Sequence, residues 1–553
     1  MHNDEVMMKT MMTTDNKTSA MQRVIRIAIV LLLLAYAPTL WAQHRGRGSI
    51  ALDEVFMDLR VPGKLANEFP KDKFDMVRVL HLRGPLNSDD MRFVKRLAER
   101  SKVVNAKGDK VEPYLDLDME EARLVRGGLL GGHSDSHAVW SSLFSYCRLL
   151  RYVILPRSTE EIGDRAFYGC SQLERVDMPR EVRIIGDAAF SGCRRLHRIM
   201  LPRRIHTIGE NAFYDCERLI DVYLPDELIT LGKGAFEGCD RLEKVSMPEQ
   251  LSVIPDRAFY GTALRTITLP YNVAEIGTYA FKGTSITELM IPATVTHFSP
   301  TAVDRCERLQ NIFVEEGNAQ YAAIDGVLFT ADLAHLLLVP CTRQGLFSIP
   351  QGTVIIGDHA MNNCRNITMI DIPETVESVG AYAFSKCTAL TTLTLPETVT
   401  HIGKGALSGC SSLTAVTLPT TLTQIPAEMF DECANLVSTC MPEGVVSIGE
   451  QAYHKCNSLT EVTLPRGVTT IGEEAFRGCK NMTMFKMYEG VTKMGDKIVY
   501  DCKHLQTFFS LCPTPPEVGK VTDEKVALVV PAASVNLYKK AKGWKKFRTI
   551  SGI

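Results

Sequence analysis

The chain has 553 residues, 45% of them hydrophobic, with 62 Lys and Arg against 64 Asp and Glu and a formal net charge of -2. This composition excludes a disordered, collagen-like or wholly membrane-embedded chain, and a charge so close to zero supplies no field to draw the protein onto nucleic acid. The length would make roughly three or four ordinary domains unless an internal repeat sets the size instead.

In chain order, the first signal is an export leader. Arg23 and Arg26 precede an uncharged apolar run at 27–37, and Ala42 closes a short stretch that follows it. Charge, apolar run and small residue in that order read as a signal peptide over 1–42, cut after Ala42. The apolar run has 11 residues, short of the about 20 that a membrane-spanning helix needs. Translation is expected to start at Met21, because such a leader does not carry 20 residues ahead of its charged end. No Cys follows the cut, so no lipoprotein anchor is expected.

Residues 43–132 follow no fixed period and read as an irregular N-terminal cap. VRVLHL at 77–82 alternates as a strand, Asn87 to Asp90 offer capping side chains to a helix at 91–100, and Leu115 to Leu117 resume a strand. A Gly-rich loop at 127–132 leads to His133 and His137. This local His pair has no third ligand nearby, so a solvated loop is the expected reading.

From Cys147 onward the sequence counts in steps of 23. Cysteines fall at 147, 170, 193, 216 and 239 and again at 364, 387, 410, 433, 456, 479 and 502; Thr262, Thr284 and Cys306 carry the register between the runs. A fixed period in the twenties marks a solenoid, whose coils bury a core only by stacking. The span predicts about fifteen coils over 133–510, with an insertion at about 315–345.

Each position of a coil such as 173–193 has a task. Val176 and Met178 alternate with Arg175 and Asp177, the pattern of a short parallel strand with one face buried. Pro179 cannot donate to the ladder and ends the strand. Val182 and Ile185 return to the core on the opposite wall, Gly186 permits the turn, and Ala189-Phe190 suit one short helical turn with the ring at the centre. The Cys rung also accepts Thr, which forms no disulfide. Stacked equivalents keep nearly the coil spacing of about 4.8 Å, whereas bridged Cβ atoms need about 3.8 Å. Reduced, structural thiols are therefore expected, and with no C-x-x-C pair no metal site. Cys341, Cys440 and Cys512 fall outside the register. In the insertion, Asp325-Gly326 between apolar residues is a hairpin signal. Over 511–553, Val526 to Pro531 read as a strand, and Tyr538, Trp544, Phe547 and Ile550 as the apolar side of a closing segment whose wet side is Lys539, Lys540, Lys542, Lys545 and Lys546.

The unit L-P-x-x-V-x-x-I-G-x-x-A-F-x-G-C, met position by position in 459–479, closely resembles the BspA-like leucine-rich repeats of bacterial surface proteins. Asn318, Tyr321, Asp325 to Phe329 and Leu338 to Pro340 are similar to an insertion of that family. The resemblance implies an α/β leucine-rich repeat solenoid that is exported, works at the cell surface and binds other macromolecules. Its implied partners are host extracellular-matrix or plasma glycoproteins such as fibronectin and fibrinogen, or other bacterial surface proteins. A cell-envelope component that binds acidic glycan is the alternative. No H-E-x-x-H, G-x-S-x-G, P-loop or dinucleotide fingerprint occurs, so neither enzyme activity nor a cofactor is expected.

Solenoids bind on their extended concave surface, here the outward positions beside each strand Val. In the N-terminal half these include Tyr152, Arg175, Asp177, Arg198, Met200, Asp221, Tyr223 and Lys244, rich in the residue types of interface hot spots. In the C-terminal half, Thr392, Thr394, Ala415 and Thr417 are small. The first set is the candidate ligand-binding strip. A basic coil with Arg194, Arg195, His197, Arg198, Arg203, Arg204 and His206 is either a grip for acidic glycan or a solvated face neutralised by neighbouring coils.

Overall fold

Three ladders of backbone hydrogen bonds run from coil to coil, one from each part of the 23-residue unit. The structure, a computed structural model, describes residues 53–105, 107–128, 138–522 and 525–553. The leader at 1–42 and the pair His133 and His137 lie outside the described residues.

The first ladder is the expected one. Leu150–Ile154, Arg175–Asp177, Asp221–Tyr223 and Lys244–Ser246 are parallel strands whose partners stand 23 residues apart, as in Tyr152↔Arg175, Ile154↔Asp177 and Asp221↔Lys244. Val153, Val176 and Val222 point inward and are buried, which leaves their neighbours on both sides facing out.

The second ladder is a parallel sheet on the opposite wall. Ala138–Val139, Glu161–Ile162, Ile184–Ile185, Thr207–Ile208 and Thr230–Leu231 pair in succession, each with its second residue buried. The sequence shows these residues returning to the core, but strands of two residues are too short to display alternation.

The third ladder replaces the helical turn expected of Ala-Phe. In 163–170, Arg165, Phe167 and Gly169 donate their N–H groups to Asp187, Ala189 and Ser191 of the next coil, while Ala166, Tyr168 and Cys170 donate to the carbonyls of Gly163, Arg165 and Phe167 in their own coil. Arg165 and Gly169 are left-handed, at φ 55° and 70°, and this aims alternate N–H groups along the solenoid rather than around a helix. The rings of Phe144, Phe167, Phe190, Phe213, Phe236, Phe259 and Phe281 then stack with centroids 5.2–5.8 Å apart.

The Cys rung serves this turn. The thiols of Cys170, Cys193, Cys216 and Cys239 lie 2.9–3.3 Å from the carbonyl oxygens of Phe144, Phe167, Phe190 and Phe213, one coil back. All sixteen cysteines are free. Thr262 makes the equivalent bond within its own coil, to Phe259 O at 3.0 Å. Two of the out-of-register thiols do similar work: Cys341 donates to Cys306 O at 3.3 Å and Cys512 to Tyr488 O at 3.2 Å.

At the N-terminal side Glu54–Asp58, Val79–Leu86 and Leu115–Asp118 join the sheet of Leu150–Ile154 and Arg175–Asp177. The helix Ser88–Glu99 starts on a capping box in which Asn87 and Asp90 satisfy each other's backbone N–H. At the C-terminal side Ala527–Val530 and Thr549–Gly552 extend the last sheet. Tyr538 and Trp544 are buried beneath them, with Trp544 Nε1 donating to Pro516 O at 2.9 Å. The five lysines of that segment are exposed.

The insertion forms the expected hairpin, Tyr321–Ile324 against Val327–Thr330, with Asp325 and Gly326 at φ 49° and 73°. A third strand, His335–Leu338, returns into the second sheet beside Ile355–Ile356. The chain then reaches the next first-sheet strand, Gln344–Ser348, in the five residues 339–343, where the coil after Glu161–Ile162 uses the twelve residues 163–174. This coil therefore lacks the Ala-Phe turn. The buried core divides here into two clusters, one ending with Leu328 and Leu338, the other starting with Val327 and Phe329.

Candidate binding face

The outward residues of the first ladder form rows because successive strands pair at the coil period, with register shifts only beside Asp116 and Leu346 among its described strands. Asp116, Tyr152 and Arg175 are successive partners, Arg198 bridges to Asp221, and Asp221 pairs with Lys244. On the other side of the buried Val, Asp118, Ile154 and Asp177 are successive partners and Tyr223 pairs with Ser246. Seven of the eight predicted residues are thus in register on one face, and the exposed Met200 follows the Arg198 bridge outside any strand; the eight do not share one chemical state.

The first three are engaged. Tyr152 donates its hydroxyl to Glu174 Oε2 at 3.0 Å, and its ring lies 4.6 Å from the Arg151 guanidinium. Arg151 in turn holds Asp116 through two bonds of 2.6 and 3.0 Å and covers Tyr114 at 3.6 Å. Burial pushes the Asp116 carboxyl up in spite of this cation, and burial followed by the bond to Glu174 raises the Tyr152 phenol. Arg175 closes on Asp177 of its own strand with bonds of 2.6 and 3.0 Å. Side chains two apart on a strand share a face, so this pair neutralises itself.

The remaining five are open. Met200 is 70% and Tyr223 60% exposed. Arg198, Asp221 and Lys244 have no ion-pair partner among the described residues, and they surround the two large side chains with charge on a fixed backbone.

The strip also runs further than the sequence reading carried it. Met290 and Phe313 are paired neighbours on Glu288–Ile291 and Asn311–Val314 and are 51% and 40% exposed. Beyond the insertion, Leu346 pairs with Met369, both exposed. At the N-terminal side the exposed Phe56 ring stacks on His81 at 4.2 Å, and His81 Nδ1 lies 2.9 Å from Asp118 Oδ2. The strands ELMI and NIFV carried the signal in their apolar outward residues, yet the 22-residue coils and the insertion obscured the register there.

Three of the five arginines of the basic coil face carboxylates of neighbouring coils. Arg194 lies 3.3 Å from Glu217, Arg195 3.8 Å from Glu174, and Arg204 2.6 Å from Glu181. Among the described residues no group of three His, Cys, Asp or Glu could hold a metal ion, and no helix is long and apolar enough to cross a membrane.

The repeat is matched by a known family. The family model for the BspA type leucine rich repeat region, in six copies, matches residues 137–260, 229–324, 341–458 and 446–510. Among solved structures the chain is similar to a leucine rich cell surface protein from Faecalibacterium prausnitzii, with 24% identity over 74% of this chain and 92% of that one and a TM-score of 0.42. It is also similar to a leucine-rich repeat protein from Eubacterium ventriosum, with 23% identity over 61% and 82% and a TM-score of 0.45. A third, from Bacteroides ovatus, has 22% identity over 68% and 82% and a TM-score of 0.33. No curated protein matches the chain.

Proposed function

From the premise that this chain belongs to the BspA-type leucine-rich repeat family, we propose that it is an exported, non-catalytic protein of the bacterial cell surface that binds another protein on the outward face of its first sheet. The observation that carries this reading is the open cluster of Arg198, Met200, Asp221, Tyr223 and Lys244: Met200 and Tyr223 are 70% and 60% exposed, and the three charges have no ion-pair partner among the described residues. A Tyr on a strand has two side-chain torsions to fix and a large ring to bury, so Tyr223 can anchor a partner at a modest entropic cost. Glycoproteins of the host matrix or plasma, or proteins of other bacterial surfaces, are the partner class the reading favours, because a row of similar contacts suits an extended ligand. The alternative of an acidic-glycan grip on the basic coil has less support, since Arg194, Arg195 and Arg204 already face carboxylates.

The test is binding to fibronectin and fibrinogen by the native chain and by a variant with Arg198, Met200, Tyr223 and Lys244 changed to Ala, beside a control with Thr392, Thr394 and Thr417 changed to Ala. Two hot-spot side chains are worth about 2 kcal/mol each or more, so the first variant should bind about seven-hundredfold more weakly or worse while the control keeps native affinity. Equal losses in both variants, or none in the first, refute the assignment.

A further inference from the structure

The insertion coil has no turn of its own, so the turn at 300–306 faces the turn at 357–364 across a cleft. Three kinds of side chain meet there on one carboxylate. Lys282 Nζ lies 2.8 Å from Asp304 Oδ2, with the two side chains 15% and 14% exposed, and the centre of the Tyr279 ring is 4.1 Å from the ammonium. Asp304 Oδ1 accepts from Nδ2 of Asn362 and of Asn363, each at 3.3 Å. Lys282 precedes the insertion and Asn363 follows it.

A carboxylate that holds an ammonium on one oxygen and a primary amide on the other gathers a nucleophile, a proton carrier and an electrophile. The group is largely shut from water. In the similar group of Lys497, Glu474 and Gln451, by contrast, the lysine is 40% exposed and Arg477 also occupies the carboxylate. Asn363 is the amide that its surroundings single out. It is 9% exposed and its Oδ1 has no hydrogen-bond partner among the described residues, an unfavourable state for a buried carbonyl. Half a turn about Cβ–Cγ exchanges Oδ1 and Nδ2, which puts the oxygen within hydrogen-bond reach of Asp304 Oδ1. A proton on Asp304 then pairs with it and polarises Cγ.

We propose that Lys282 and Asn363 join in an intramolecular isopeptide bond, with Asp304 carrying the proton. Asp304 takes a proton from the Lys282 ammonium, and the free amine attacks Cγ of Asn363. The Nζ–Cγ bond forms and the Cγ–Nδ2 bond breaks. Nζ gives up a second proton and Asp304 returns the first, so Nδ2 leaves as ammonium. An ammonium and a primary amide thus become a secondary amide and ammonium, with no oxidant or cofactor. The ammonium diffuses away and the link stays, a covalent strap between coils on either side of the insertion, where the turn ladder is interrupted. This modification does not depend on the reading given for the sheet face.

Mass spectrometry of the purified whole chain tests the assignment. The denatured protein should weigh about 17 Da less than its sequence, the mass of one ammonia. Trypsin should leave Lys282 uncut and release one branched peptide that holds residues 282 and 363. Lys282→Arg and Asn363→Gly should each restore the full mass, and glycine suits position 363, whose φ is 63°. Asp304→Asn, with circular dichroism like that of the native chain, should also lose the branched peptide. Absence of the branched peptide from the native chain overturns the proposal, even where the same loss of mass maps to a cyclised N-terminal glutamine such as Gln43. A branch through Asn362 overturns the choice of acceptor, and a bond that forms equally in Asp304→Asn overturns the role given to Asp304.

Discussion

Cys193, Cys216 and Cys239 are fully buried, and each places its sulfur against the Phe carbonyl of the preceding coil. Burial pushes the Cys216 thiol up, those of Cys193 and Cys239 well above the usual range, and those of Cys147 and Cys410 up to about 12. A thiolate is the reactive form, so at pH 8 a thiol reagent should modify at most the half-exposed Cys341 and Cys440 in the native protein and all sixteen after denaturation. Fast native labelling of the in-register thiols would contradict this role. The same shift has a signed consequence. The folded protein keeps protons that the unfolded chain releases above about pH 8.5, so the ladder's contribution is complete below that value and is lost as pH rises above it, by about 1.4 kcal/mol per pH unit for each thiol. Melting temperature should fall steeply above pH 9, and Cys239→Thr, the residue already used at 262 and 284, should make the fall shallower. Period and chemistry made this rung legible in the sequence. The state of the binding-face residues was less so: Tyr152 is tied to Glu174, one coil further on, and only the coil stacking reveals that.

At the scale of one coil, the first strand and the Asp325-Gly326 hairpin follow from alternation and turn chemistry, while the second strand and the turn ladder do not, because two-residue strands and left-handed turns leave no period to read. The glycine after the second strand shows what the stacking demands. A Cβ on Gly232 would stand 2.3 Å from the carbonyl carbon of Gly209 and 2.4 Å from the backbone nitrogen of Glu210. Nothing flexible can yield there, since both atoms belong to the neighbouring coil's backbone. Gly232→Ala should cost about 1–3 kcal/mol or more by forcing two coils apart. Chemical denaturation would check it, and Lys233→Ala, at the exposed next position, should change stability by less than about 0.5 kcal/mol. If the two variants lose equal stability, close coil approach is not what the glycine provides.

Across the whole solenoid, stability is a sum over neighbouring coils, so its weakest interface decides how it opens. Elsewhere a break in one ladder is bridged by another: Lys244–Ser246 has no paired strand after it, yet Val253 still pairs with Glu275 and Phe259 N–H still reaches Ala280 O. At the insertion all three stop together among the described residues. Asn311–Val314 pairs only backward, His297–Phe298 ends its sheet, and the turn at 300–306 has no following turn to receive its N–H groups. What crosses instead is a set of single bonds, among them Ile312 N–H to Gly326 O at 3.0 Å, Phe298 N–H to Tyr321 Oη at 2.9 Å, Asn318 Nδ2 to Pro292 O at 2.9 Å, Thr342 Oγ1 to Leu309 O at 2.6 Å, Cys341 Sγ to Cys306 O at 3.3 Å, and the Asn362 and Asn363 contacts to Asp304. The two apolar clusters meet at the same place. Cooperativity should therefore fail here first. Calorimetry should resolve two unfolding transitions, and hydrogen exchange should assign them to residues before and after the insertion. Tyr321→Phe combined with Thr342→Val removes two of the crossing bonds and should widen the gap between the transitions while leaving the hairpin itself intact. A single transition with uniform exchange protection on both sides would mean that hairpin packing couples the halves as strongly as the three ladders couple regular coils.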